Sequence, residues 1–210
     1  MKKLSAVCLL ALAPAMTMAN ISISGTTITG AAGDYAWTYS LSLSADQDLV
    51  AGPAPTVNPV EHASVGGFLT IFDFVGYIDG SCTGPAGWAC SSQNVGFTPD
   101  DVSPLDNVSI INLTWAYIGG PGLPNRLTGA PNGLDLGLFT AHTTSDLIGL
   151  VSYAARGVKN NGDSEGTVAD NVGRTRGPNP AALTVPEPAS LALAGMGLAF
   201  LALKRRNGKA

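Results

Sequence analysis

The stretch Trp37-Thr38-Tyr39-Ser40-Leu41-Ser42-Leu43 puts a large apolar side chain at every second position and a small hydroxylated one between. A two-residue period is that of a β-strand with one dry and one wet face, because successive Cβ atoms leave a strand on opposite sides. Comparable runs follow at 68–75, at 109–118 with Ile111, Leu113, Trp115 and Tyr117 on one face, at 134–143 and at 147–155. A weaker, Ser- and Thr-rich run occupies 21–29. Clusters such as Gly52-Pro53-Ala54-Pro55, Gly119-Gly120-Pro121-Gly122 and Pro131-Asn132-Gly133 separate them and favour turns. No part of this region carries an apolar stripe of helical period and helix length. About six or seven short strands without interleaved helices predict an all-β body, an antiparallel β-sandwich or jelly roll. It is long enough to bury a core between two sheets. Strand order is not legible locally.

The two ends differ from the body. Met1-Lys2-Lys3 precedes an apolar run at 4–15 and then Thr17-Met18-Ala19, with small residues where a signal peptidase reads. This run is far below the roughly 20 residues of a spanning helix, so the segment reads as a secretory signal-peptide helix cut between Ala19 and Asn20. At the other end Val185-Pro186-Glu187-Pro188 is followed by an apolar run at 189–203 and by Lys204-Arg205-Arg206. As a helix that run would measure about 22 Å against a hydrocarbon core of about 30 Å, a short and marginal transmembrane helix. Pro186 and Pro188 bias Val185 and Glu187 away from helix, which suits a step read by an enzyme's cleft. The basic cluster resists crossing, so it stays cytoplasmic while the body lies outside.

Without these ends the charge changes. Between Asn20 and Thr184 the cations Arg126, Arg156, Lys159, Arg174 and Arg176 face fourteen carboxylates, which leaves the exported part at −9 although the whole chain is at −4. Such a body repels phosphate backbones, so no nucleic-acid partner is expected. Removal of the leader takes Cys8 with it and leaves one pair, Cys82 and Cys90, in Cys82-Thr-Gly-Pro-Ala-Gly-Trp-Ala-Cys90. In an oxidising compartment a disulfide is the natural reading, a local staple worth roughly 2–3 kcal/mol. A metal pair and two free thiols are the competing readings, and the first lacks further Cys or His at ligand spacing.

The tail resembles the PEP-CTERM sorting signal of Gram-negative bacteria, carried by Val185, Pro186, Glu187 and Pro188, the short apolar run and the cluster Lys204, Arg205 and Arg206 together with the leader. The resemblance covers about a tenth of the chain. It implies that an exosortase, a membrane-embedded transpeptidase-like enzyme, cuts near the Pro-Glu-Pro step and releases or re-anchors the body. It also implies an association with exopolysaccharide and biofilm. The expected partners are therefore signal peptidase, exosortase, the membrane through the C-terminal helix, and exopolysaccharide. The catalytic residues of processing would belong to the exosortase, so none is assigned here.

The resulting organisation is a signal peptide at 1–19, a β-sandwich domain at 20–173, a linker at 174–184 and the sorting signal at 185–210. The inner membrane holds the precursor by its tail, and the processed form reaches the cell surface or the medium. Within the body, Asp100 and Asp101 with Asp106-Asn107, and Asp163 with Glu165, offer the oxygen ligands that calcium prefers. The spacing is not that of an EF-hand loop, and a solvated loop is the alternative; no other cofactor is expected. His62 and His142 have no metal-ligand neighbours at a helical or hairpin spacing. Neither a Gly-x-Ser-x-Gly nor a His-Glu-x-x-His motif occurs. Trp88, flanked by Gly87 and Ala89, and Trp115 with Tyr117 are candidates for a sugar-stacking surface, Trp88 being the one expected to be exposed, against core packing as the commoner fate. The sequence thus favours a non-enzymatic structural or adhesive protein over a carbohydrate-binding module and a secreted hydrolase.

Overall fold

The alternation at 37–43 becomes β2 (Asp34–Leu43), with Trp37, Tyr39, Leu41 and Leu43 buried and the hydroxylated residues between them half-buried. The structure, a computed structural model, describes residues 21–55, 66–99 and 102–179. The expected signal-peptide helix, Ala19, Asn20, the expected C-terminal transmembrane helix and the sorting residues lie outside these. The chain divides into two units, Met1–Pro180 and Ala181–Ala210, and all described residues belong to the first. Among the described residues no helix is long and apolar enough to cross a membrane.

Two antiparallel sheets share the core. The first has the order β1 (Ile21–Ala31), β2, β8 (Leu134–Thr143). In the second, β10 (Val168–Gly177) lies along one edge of β9 (Gly149–Lys159), from Gly149 to Val158. The other edge of β9 is shared by β4 (Phe68–Ile71) and β3 (Gln47–Val50). The sheet extends from β4 to β6 (Asn112–Tyr117) and β5 (Trp88–Gln93), and from β3 to β7 (Arg126–Thr128). The all-β, antiparallel, sandwich-like body expected from the alternation is present. The short strands β3, β5 and β7 were not among the predicted runs, because three to six residues are too few to show a period.

The core lies between the sheets. Tyr39 of the first meets Trp115 of the second with ring centroids 6.4 Å apart, and Leu69, Ile71, Leu113 and Val151 fill around them. Full burial of a side chain such as Leu41 stabilises by about 1.5–3 kcal/mol. β8 must bend to follow β2, and its register shifts opposite Leu41 and Ser42. Gly137 takes φ +91° there, a conformation that a Cβ would disfavour.

One expectation is corrected by the second sheet. A strand with Leu113, Trp115 and Tyr117 on one face should leave Asn112, Thr114 and Ala116 wet, yet all six residues of β6 are buried. The segments around Phe97 lie over this outer face, where Phe97 packs on Phe68 and Ala116. The polar groups beneath are bonded to one another, Thr70 Oγ1 to Thr114 Oγ1 at 2.8 Å with Gln93 donating to Thr114. Arg156 is buried on the same face, its guanidinium bidentate on Asp170 at 2.9 and 3.0 Å and 5.9 Å from the centre of the Phe68 ring.

The boundary expected at 173 also moves. β10 continues to Gly177, Pro178 accepts a hydrogen bond from Val75 N at 3.2 Å, and Asn179 is buried with its amide on the Asp73 carbonyl at 3.4 Å. The polar composition of 174–179 reads as a linker, but its alternate residues are held by β9 and by the loop after β4.

Candidate functional site

Cys82 and Cys90 form a disulfide, with Cα atoms 6.1 Å apart. Although local in sequence, it joins two sheets. Thr83 bridges Thr140 of β8 by backbone hydrogen bonds of 2.8 and 3.0 Å, while Cys90 belongs to β5, the outermost strand of the second sheet. Gly84 lies against the core rings, where an added Cβ would come within 3.1 Å of Phe139 and 3.4 Å of Trp115. Trp115 Nε1 donates to Thr83 O at 3.0 Å.

Trp88 is turned inward, contrary to the exposure expected from its Gly and Ala neighbours. Its ring is edge-on to Phe139 at 4.9 Å and tilted on Tyr117 at 5.6 Å. Flanking residues set access to a side chain only when nothing packs on it, and here the closed flank of the two sheets does. Trp37, Trp115 and Tyr117 are buried as well, and no aromatic side chain among the described residues is exposed. Of the two readings of these aromatics, core packing is the one found, and no exposed aromatic platform is present among the described residues.

The acidic residues do not converge. Asp163 and Glu165 lie on the exposed turn around a 3-10 helix (Gly162–Ser164) that joins β9 to β10, and Asp100 and Asp101 lie outside the described residues. Asp106 belongs to the other end of the second sheet, roughly 30 Å away along β9 at the usual strand rise. There Asn112, fully buried, donates to Asp106 Oδ1 and to Asn94 O, both at 3.0 Å, and accepts from Asp73 N at 2.8 Å. Asp73 Oδ1 in turn accepts from Asn107 N at 2.9 Å. Burial pushes the Asp73 carboxyl above its usual range, opposed by the Asn107 bond and reinforced by the nearby charge of Asp106. Among the described residues no three His, Cys, Asp or Glu side chains group as metal ligands.

His62 lies outside the described residues. His142 meets Asp34 at 2.6 Å through Nδ1, on the surface where β2 begins. The pair is 108 residues apart in sequence, so no local pattern could have found it. A groove of about 490 Å³ lined by Ala51, Pro53, Val158 and Val168 includes Arg126 and Arg156, but each meets a carboxylate, Asp48 and Asp170 respectively. A second groove, of about 540 Å³, lies on the outer face of the first sheet and is lined by Ser24, Ser40, Ser42, Asn132 and Asp135. Its hydroxyls are already in rows, with Ser22 Oγ 2.9 Å from Ser42 Oγ and Ser24 Oγ donating to Ser40 O at 3.1 Å.

The disulfide-stapled antiparallel body is followed within a few residues by the Pro-Glu-Pro step, a short apolar run and a basic cluster, the order of segments expected of an exported protein sorted by its C-terminus. The family model described as the PEP-CTERM protein-sorting motif matches residues 184–206, which include Val185, Pro186, Glu187, Pro188, Lys204, Arg205 and Arg206. The matched motif implies an exported, membrane-anchored precursor with an exosortase as processing partner. No curated protein and no solved structure matches the chain.

Proposed function

We propose that the mature protein is a non-enzymatic component of the cell surface or extracellular matrix, cut by the exosortase near Pro186 to Pro188 and serving a structural or adhesive role. The match of residues 184–206 to the sorting motif carries this reading. The body supports it by what its polar groups do. Asp73, Asp106, Asp48 and Asp170 are spent on holding loops and strands together, through Asn107, Asn112, Arg126 and Arg156. The experiment is intact mass of the protein from producer cells with and without the exosortase. Loss of Leu191 and everything after it in competent cells, and its retention in cells lacking the enzyme, is expected; retention in both overturns the reading.

A carbohydrate-binding role is favoured by one observation, the hydroxyl-lined groove of Ser24, Ser40, Ser42, Asn132 and Asp135. Contact with exopolysaccharide would then use hydrogen bonds rather than ring stacking. Calorimetry with the producer's own polysaccharide tests it, and binding unchanged by Asp135→Ala and Ser42→Ala removes the groove from consideration.

A further inference from the structure

The chain leaves the body at one end of the two sheets, where exposed apolar side chains gather. β10 finishes at Gly177 opposite Gly149 of β9. Ile148, immediately before Gly149, is 52% exposed and Leu147 is 43% exposed. The loop that carries them is held to the exit by two hydrogen bonds, Thr144 N to Gly76 O at 2.9 Å and Val75 N to Pro178 O at 3.2 Å. Val108, 60% exposed, follows Asn107, whose N–H is on Asp73; the carbonyl of the same Asp73 receives the Asn179 amide. Three large apolar side chains thus surround the point of exit. Arg174 and Arg176, both exposed, project from β10 just before it, and Asp34, Asp79 and Asp146 are exposed carboxylates at the same end of the sheets.

The chain beyond is short. Only residues 180–183 separate Asn179 from the matched sorting motif, and the apolar run begins at Ala189. At full extension ten residues reach about 33–36 Å, less than the width of a folded body of this size, so the exit end is kept near whatever holds the tail. Ile21, paired with Leu43, lies at the opposite end of the strands.

We propose that in the tethered precursor this end docks on the lipid bilayer, with Val108, Leu147 and Ile148 entering the headgroup boundary and Arg174 and Arg176 meeting lipid phosphates. The inference rests on the reading of the tail as a membrane anchor. The tether keeps this end near the membrane, where its three apolar side chains can enter the boundary and the two arginines of β10 can meet phosphates while the carboxylates stay in water. Docking would present the Pro-Glu-Pro step at a set height for the exosortase.

The test uses the full chain in vesicles of phosphatidylethanolamine and phosphatidylglycerol, with and without brominated acyl chains. Leu147→Trp adds a reporter at the exit and Val168→Trp, 55% exposed in the parent, adds one at the far end of β10. Brominated lipid should quench the added emission of Leu147→Trp about twofold while sparing Val168→Trp, since interfacial side chains lie about 5–10 Å into the boundary. As a check free of substitution, hydrogen exchange of residues 144–148 in the parent chain should slow in vesicles relative to detergent micelles. Co-flotation with equal quenching at both positions, or at neither, overturns the docking alone. Failure to co-float overturns the anchor and the docking together. Quenching or protection that appears only when exosortase is added assigns the surface to a protein partner instead.

Discussion

Trp88 stands edge-on to Phe139 with ring centroids 4.9 Å apart, and the contact joins β5 to β8 across the flank that Cys82 and Cys90 close. Trp88→Ala would leave a cavity against both Phe139 and Tyr117. Such large-to-small changes cost about 3 kcal/mol or more. Urea unfolding of the variant should show that loss; a change below about 1 kcal/mol would mean that the ring contributes little to the flank.

Replacing both cysteines, Cys82→Ser with Cys90→Ser, should lower stability by roughly 2–3 kcal/mol and keep the β-rich circular dichroism of the parent, since the bridge closes a short loop and the core spans both sheets. Combined with Trp88→Ala, the losses should not add, because the two act on one flank. Complete unfolding of the double-serine variant in buffer would make the bridge the principal stabiliser and contradict this account.

Tyr39 is buried in the core, and its hydroxyl finds no hydrogen-bond partner among the described residues. Burial holds its phenol far above the ordinary tyrosine range. The unfolded chain ionises this group near about pH 10 and the folded one does not, so its contribution is complete below about pH 10 and declines as pH rises beyond it. Tyr39→Phe should leave stability at neutral pH equal to the parent or about 1 kcal/mol higher. It should also make the fall in melting temperature above pH 10 shallower. Tyr117 and Tyr153, raised by burial too, account for the slope that remains.

The Arg156–Asp170 pair lies on the covered outer face of the second sheet, with the two side chains 10% and 4% exposed. Asp170→Asn deprives a buried guanidinium of the carboxylate it meets there and should cost about 3 kcal/mol. Arg156→Met together with Asp170→Leu should cost far less, because neither charge of this pair is then left facing an apolar neighbour. Chemical denaturation of the two variants decides this, and equal losses would show that the pair itself, and not the loss of one of its two charges, carries the effect.

Much of this was legible from the chain alone. The run at 37–43 declared its two faces, the Gly- and Pro-containing loop between Cys82 and Cys90 declared a bridge, and the tail declared its sorting motif. Each of these signals is local. The partner of β6's second face was not legible, because Phe97 and its neighbours reach it through a loop with no period. Trp88 was misjudged for the same reason, its flanking Gly and Ala saying nothing about Phe139, 51 positions on.

The sequence by itself determined that strands would form, that they would pair antiparallel, and that the C-terminal end carries a sorting motif. Those follow from side-chain period, composition and short motifs, which are properties of neighbours along the chain. Only the tertiary structure decided which faces are dry, that the disulfide joins two sheets, and that Val108, Leu147 and Ile148 meet where the chain departs toward its motif. Burial and proximity arise when distant segments pack together, and no single segment records who its neighbours in space will be.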